Sequence, residues 1–242
     1  MFDHVTIRAS DRTASVRFFD TVLPAVGVER SVHDELLPEW DDFCVSQADG
    51  EVPVTRRLHV AFVAPSREAV DDFWRIGTEA GYRSDGEPGP RPQYSPEYYG
   101  GFLLDPDGNS AEAVHRGDMR RSGAVDHLWI RVADLHASKR FYEQVGVHAG
   151  FALGHDTPER ARFGGQDGSF SLVPGEPTEH VHIAFPAPDD ATVDAFHADL
   201  TASGYRDNGP PGGREIYHPG YYGGFVLDPD GNNIELVNHN RD

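Results

Sequence analysis

At 242 residues the chain is long enough for one or two domains, and 40 acidic against 21 basic residues leave a formal net charge of −19. That charge disfavours nucleic acid and anionic membrane as partners, and a single cysteine, Cys44, rules out an internal disulfide framework. No apolar run follows Met1 and none approaches the roughly 18 residues of a spanning helix, so a soluble, cytoplasmic protein is expected.

The first strand reads as His4 to Ala9, with Val5, Ile7 and Ala9 on one face and His4, Thr6 and Arg8 on the other. Asp11 then caps a helix carrying Val16, Phe19, Val22 and Leu23 at helical spacing. A strand near Phe43–Val45 follows, and Cys44 is read as one of its buried residues. A second unit opens with a strand over Leu58–Val63. Val70, Phe73, Trp74 and Gly77 predict a helix over Arg67–Ala80, ended by Gly81. The Pro/Gly-rich passage Glu87–Pro92 leads into a hairpin with arms Gly101–Leu104 and Ser110–Val114, turning at Asp105-Pro-Asp-Gly-Asn109. Arg116–Gly123 is polar and glycine-bounded, which places a boundary near residue 120 and gives domains 1–117 and 123–242.

The same order then repeats. His127 to Val132 is a strand with Leu128, Ile130 and Val132 on one face and His127, Trp129 and Arg131 on the other. Leu135, Ser138, Phe141, Tyr142 and Val145 mark a helix expected to stop at Gly146, and a strand near Phe170–Val173 follows. His182–Phe185 is a strand, with His180 placed on the face of His182. Val193, Phe196 and Leu200 mark a helix over Asp190–Ser203, ended by Gly204. Gly209–Gly213 leads into the last hairpin, with arms Gly224–Leu227 and Asn233–Val237.

Three groups able to bind a metal recur at one constant offset: His4 with His127, His59 with His182, and Glu112 with Glu235. Their surroundings repeat as well. Asp3-His4 matches Asp126-His127, and His59-Val-Ala-Phe62 matches His182-Ile-Ala-Phe185. Tyr98-Tyr-Gly-Gly-Phe-Leu-Leu-Asp-Pro-Asp-Gly-Asn109 matches Tyr221-Tyr-Gly-Gly-Phe-Val-Leu-Asp-Pro-Asp-Gly-Asn232. A duplicated set of two histidines and one carboxylate points to divalent-metal chemistry, because it holds one face of an Fe, Mn, Ni or Zn ion and leaves positions open for substrate or water.

These motifs, with Val132-Ala-Asp-Leu135, Ser138, Phe141-Tyr142 and Gly146, resemble the vicinal oxygen chelate superfamily. That superfamily includes glyoxalase I, extradiol dioxygenases, fosfomycin-resistance enzymes and bleomycin-binding proteins. The resemblance implies an α+β fold, a tandem repeat of paired βαβββ units forming open, cup-shaped mixed β-sheets with flanking helices. It puts metal ligands on the first strand of each unit and the last strand of the second: His4, His59, Glu112, His127, His182 and Glu235. In some relatives the first-strand histidine is exchanged between modules, which would group His4 with His182 and Glu235, and the sequence does not choose between the arrangements. The fourth carboxylate of glyoxalase I has no counterpart in Phe43-Cys44-Val45-Ser46 or Phe170-Ser171-Leu172-Val173. Phe102 and Phe225 stand where extradiol dioxygenases carry a tyrosine.

The expected activity is that of a metal-dependent lyase, isomerase or dioxygenase on a small, oxygen-rich, chelating molecule. The alternative is a drug-sequestering protein of the bleomycin-resistance type. Tyr98, Tyr221 and His218 are candidate proton donors beside the metal. Arg8 and Arg131, on the histidine face of their strands, are candidates to grip a substrate carboxylate or else to pair with Asp3 or Asp126. Trp129 is a candidate stacking wall. The added His180 and His218 favour the site containing His182 and Glu235. The two halves are expected to act as an internal pseudo-dimer, with a homodimer also open.

Overall fold

The computed structural model describes residues 1–31, 37–117, 120 and 122–240. The first half runs β1 (His4–Ala9), α1 (Arg12–Val22) with a 3₁₀ turn (Leu23–Val26), β2 (Glu39–Trp40), β3 (Phe43–Gln47), β4 (His59–Val63), α2 (Arg67–Glu79), β5 (Ser84–Pro90), β6 (Tyr99–Leu104) and β7 (Ser110–His115). The second half runs β8 (Val125–Val132), α3 (Leu135–Ala149), β9 (Ala152–Thr157), β10 (Arg160–Gly164), β11 (Ser169–Pro174), β12 (His182–Pro186), α4 (Asp190–Ala202), β13 (Asp207–Gly213), β14 (Tyr222–Leu227) and β15 (Asn233–Asn238).

These strands form two open mixed sheets, and neither sheet belongs to one half. One has the order β13-β14-β15-β12-β1-β3-β2, the other β5-β6-β7-β4-β8-β11-β10-β9. The first strand of each half pairs antiparallel with the second unit of the other, Val5 opposite Ile183 and Val60 opposite Leu128. The remaining central pairings are parallel: β1 with β3, β12 with β15, β4 with β7 and β8 with β11. The α+β expectation with cup-shaped sheets and flanking helices holds.

Alternation in β1 sends Val5, Ile7 and Ala9 into the core, where Phe18, Phe19 and Val22 of α1 are fully buried. One continuous apolar cluster crosses both halves, joining Phe2 and Phe43 to Phe163, Phe170 and Phe185. Each such phenylalanine contributes about 1.5–3 kcal/mol by leaving water. Asp11, Ser66, Asp134 and Asp189 cap α1 to α4 by accepting a backbone N–H in the first turn. No described helix is long and apolar enough to cross a membrane.

Four local expectations change. The helix expected to stop at Gly146 continues to Gly150, whose φ of 73° ends it in the left-handed region. Gly146 is small for another reason: a Cβ there would lie 2.4 Å from the Phe151 carbonyl oxygen. The two Pro/Gly-rich passages belong to strands, β5 and β13. Both are edge strands with register shifts, so prolines that lack an N–H do no harm to the ladder. The hairpin β9–β10 was not anticipated, although Arg160, Ala161, Arg162 and Phe163 alternate half-exposed and buried. His180 does not share the face of His182. It precedes β12 with a φ of 58° and lines a surface groove with Arg56 and Glu179.

The link between halves is held by a buried carboxylate. Asp42 Oδ1 accepts from the Ala124 and Val125 amides at 2.8 and 2.9 Å, and Oδ2 pairs with Arg120 at 2.8 Å. Gly123 leaves room for this approach, since a Cβ there would lie 2.2 Å from Asp42 Oδ2. Asp42→Ala would leave a buried guanidinium and two amides without their acceptor, and is expected to cost about 3 kcal/mol or more. A lowered urea midpoint at unchanged slope is the measurement; a shift equivalent to less than about 1 kcal/mol would show that the linker does not need the carboxylate.

Candidate metal centres

Because each sheet crosses the halves, each triad does too. His59 and Glu112 of the first half meet His127 of the second, and His182 and Glu235 of the second meet His4 of the first. The exchanged grouping is the one the chain adopts. It follows from register. The row His127, Ala61, Glu112, Phe102 runs directly across β8, β4, β7 and β6, with His59 one pleat away on the same face. The row His4, Ala184, Glu235, Phe225 repeats it in the other sheet. Alanine in the middle of each row leaves an open floor between the histidine and the glutamate.

The inward atoms converge. His59 Nε2 lies 3.0 Å from Glu112 Oε2, and His127 Nε2 lies 3.6 Å from the same oxygen. In the other cup, His4 Nε2 and His182 Nε2 are 3.0 Å apart, and Glu235 Oε2 lies 3.1 Å from His182 and 3.8 Å from His4. Donors about 2.1 Å from a shared ion stand about 3.0–3.4 Å from one another, so these separations fit a cation with little movement. Donor chemistry agrees. Both glutamates are 1% exposed, and a buried carboxylate flanked only by imidazoles and one phenol gains most from an added positive charge.

The outer ring nitrogens are fixed from behind. His4 Nδ1 and His127 Nδ1 each lie 2.8 Å from the preceding aspartate, Asp3 and Asp126. A carboxylate accepts only, so it takes the Nδ1 proton and leaves the Nε2 lone pair facing the centre. His59 Nδ1 lies 3.0 Å from Ser110 Oγ, and His182 Nδ1 lies 2.7 Å from the Asn233 side chain. Burial opposes ionisation of Asp126, but the bonds from His127 and Arg116 hold it below the usual carboxylate range. Burial also presses on His4, yet the bond to Asp3 and the charge of Glu235 raise it, while burial lowers its partner His182.

Tyr98 and Tyr221 explain the repeated Tyr-Tyr-Gly-Gly text. Their hydroxyls donate to Glu112 Oε1 at 2.8 Å and Glu235 Oε1 at 2.7 Å, turning the other oxygen inward. Burial and the adjacent carboxylate push both phenols far up, so they stay protonated. Gly100 and Gly223 open the space, since a Cβ at either would lie 2.3 or 2.4 Å from the same glutamate oxygen.

The other candidates divide between the two cups. Trp129 and Arg131 line an 810 Å³ cavity over His59, Glu112 and His127. Trp129 meets the ring of His59 edge-on at 6.3 Å, and Phe102 lies 6.0 Å from the same ring. Arg8 belongs to the other cup, where burial lowers it and Asp49 and Tyr217 oppose that. Neither arginine pairs with the aspartates. Asp3 is engaged by His4 and His239, and Asp126 by His127 and Arg116. His218 is turned away from the ligands, with Nδ1 on the Pro219 carbonyl and Nε2 2.8 Å from His239 Nδ1. The sequence reading missed Asp3, Asp126, Ser110, Asn233, Arg116 and His239 as supports; the repeated Asp-His pair was the one available signal. An 810 Å³ cavity stands over the His59 site, whereas the sequence-based expectation favoured the site containing His182.

The structure is similar to two crystal structures of glyoxalase I from Zea mays. One is the V278E mutant, 20% identical with a TM-score of 0.69; the other is 19% identical with a TM-score of 0.68. Each comparison covers 98% of this chain and 92% of the maize chain, and at such identity it shows the fold alone. No curated protein sequence matches the chain. The family model described as Glyoxalase/Bleomycin resistance protein/Dioxygenase superfamily matches twice, over residues 1–113 and 124–236. With both halves matched and each ligand triad assembled across them, the chain belongs to the Glyoxalase/Bleomycin resistance protein/Dioxygenase superfamily.

Proposed function

We propose that the protein is a metal-dependent enzyme acting on a small, oxygen-rich, chelating substrate at the His59, Glu112 and His127 cup. The observation that carries this reading is the convergence of three lone-pair atoms on the floor of an 810 Å³ cavity, each ligand side chain anchored from behind. A divalent ion held there supplies a Lewis acid for a coordinated substrate oxygen.

The chain's own residues do the rest. Asp126 fixes the tautomer of His127, Ser110 orients the ring of His59, and Tyr98 fixes the glutamate. Trp129, Tyr94 and Phe102 form a wall that excludes water and orients a planar substrate. Arg131, at the mouth of the same cavity, presents a guanidinium to an entering oxyanion. The His4, His182 and Glu235 cup is a second metal site by the same donor logic.

Metal content of the purified chain tests the reading. Wild type is expected to retain up to two divalent ions, Glu112→Ala and Glu235→Ala to lose one each, and the double variant to lose both. Equal content in wild type and double variant would sink the proposal.

Two finer substitutions probe the supports. Tyr98→Phe removes the anchor of Glu112 and is expected to weaken metal binding at that cup about 10–100-fold, with little change in the other. Gly100→Ala forces the carboxylate aside and should weaken the same site in a metal titration followed by calorimetry. An unchanged affinity in both would show that the glutamate is not positioned in this way.

A further inference from the structure

Beyond the triad, the face that carries His127 becomes steadily more basic. Across β8, β11, β10 and β9 one register row reads Trp129, Ser171, Arg162, His155. The row one pleat away places Ser169 beside His127. Arg160 lies on the same face, its guanidinium 5.8 Å from the centre of the Trp129 ring. These groups, with Arg116, line a 330 Å³ cavity that shares Tyr94, Tyr98, His127 and Trp129 with the larger one over the triad. The two cavities are therefore compartments of one cup.

This concentration of positive charge is unusual in a chain of net charge −19. The acids nearby are engaged elsewhere, Asp126 by His127 and Arg116, Asp156 by Lys139. Among the described residues neither Arg160 nor Arg162 has an ion-pair partner. Burial holds Arg162 below the ordinary arginine value, and the like charges of Arg116 and Arg160 press it the same way. Ser169 and Ser171 are each 4% exposed and turn their hydroxyls to this compartment. Positive charges packed together with buried hydroxyls are stabilised by a compact oxyanion.

Among the described residues the other cup lacks this feature. At the positions of Trp129, Ser171 and Arg162 its register row reads Thr6, Cys44, Glu39. An acid, Glu39, stands where the first cup has an arginine.

We infer that the His59, Glu112 and His127 cup selects substrates carrying a second oxyanionic group, a carboxylate or phosphate, seated on Arg160 and Arg162, and that the His4, His182 and Glu235 cup does not. The inference names the substrate class of the proposed enzyme, and so rests on that reading for the chelating end only. Two strand spacings, about 10 Å, separate the backbones of β8 and β10, and an arginine reaching back from β10 leaves room for a molecule of a few carbons between ion and guanidinium.

The test uses three probes that share a 2-hydroxycarboxylate: glycerate, malate and 3-phosphoglycerate. With metal-loaded protein in calorimetry, malate or 3-phosphoglycerate is expected to bind about tenfold or more tighter than glycerate. Arg162→Met should abolish that gap while leaving metal content and glycerate affinity unchanged, and Glu235→Ala should leave the gap intact. Preference for malate assigns the second group as carboxylate, and preference for 3-phosphoglycerate assigns it as phosphate. Equal binding of all three, or a gap that survives Arg162→Met, would overturn the inference. A metal-free arm stands apart from the metal reading. Inorganic phosphate should shift backbone amide signals of β10 and β11 in wild type and not in the Arg160→Met/Arg162→Met variant. Identical titrations in the two proteins, or none in wild type, would overturn it even if the metal sites are real.

Discussion

Everything at the two centres depends on which strand the first strand of each half pairs with. Had β1 paired with β4, His4 would have met His59 and Glu112, and each half would have built its own cup. Instead β1 lies antiparallel to β12 and β4 to β8, so each histidine of a first strand crosses into the other half. The antiparallel register then does the fine positioning. His4 stands opposite Ala184, and Thr6 opposite His182, which puts the two imidazoles on a diagonal within reach of each other. A slip of one residue would turn His4 into the apolar layer and Val5 into the cup. Folding of one half is thereby coupled to completion of the other half's site, and the Asp42 clamp on Ala124 and Val125 closes the path between them.

A buried glutamate is the costliest element that this pairing brings together. Glu112 and Glu235 gain one phenol hydroxyl and two imidazoles in exchange for their water, and those partners do not by themselves neutralise a charge in a low-dielectric floor. The surrounding design is consistent with that cost. Tyrosine hydroxyls fix the outer oxygens, glycines make room for them, and alanines keep the floor clear of competing side chains. His4 and His127 point lone pairs rather than protons inward because an aspartate accepts from the other nitrogen, while Ser110 and Asn233 hold the rings of His59 and His182 in place. An arrangement with so many parts directed at one set of converging donor atoms is more than core packing requires.

The parts of this structure legible from sequence were those written as local period or exact repetition. The six ligand positions repeat at one offset, and alternation in β1 and β8 put their histidines on the correct face. The exchange between halves was open because a strand's partner is a long-range choice that local period does not specify. Edge strands β5 and β13 hid behind glycine and proline, which usually mark loops but are tolerated where one side of the strand has no neighbour. Gly146 looked like a helix end because a small residue required by contact with Phe151 and one required by a left-handed backbone read alike in sequence. The hydrogen bonds behind the triads were legible only as the repeated Asp-His pair, since His239 lies far from Asp3 along the chain and Arg116, ten residues before Asp126, has no periodic relation to it.

Repetition also made the two cups look more alike than they are. The triads, their tyrosines and the aspartates behind the first-strand histidines were kept in both, yet several other polar groups around them differ. Behind Asp126 stands the permanent charge of Arg116; behind Asp3 stands a stacked pair of imidazoles, His239 and His218. Beside His127 the sheet continues through Ser171 to Arg162; beside His4 it continues through Cys44 to Glu39. Each cup is built from strands of both halves, while the side chains on an outer strand are free to differ. Such an architecture lets the wall of one cup change while both triads stay assembled. The charge reversal from Arg162 to Glu39 is the clearest trace of that freedom, because it changes the wall of a cup and leaves the His/His/Glu triad untouched.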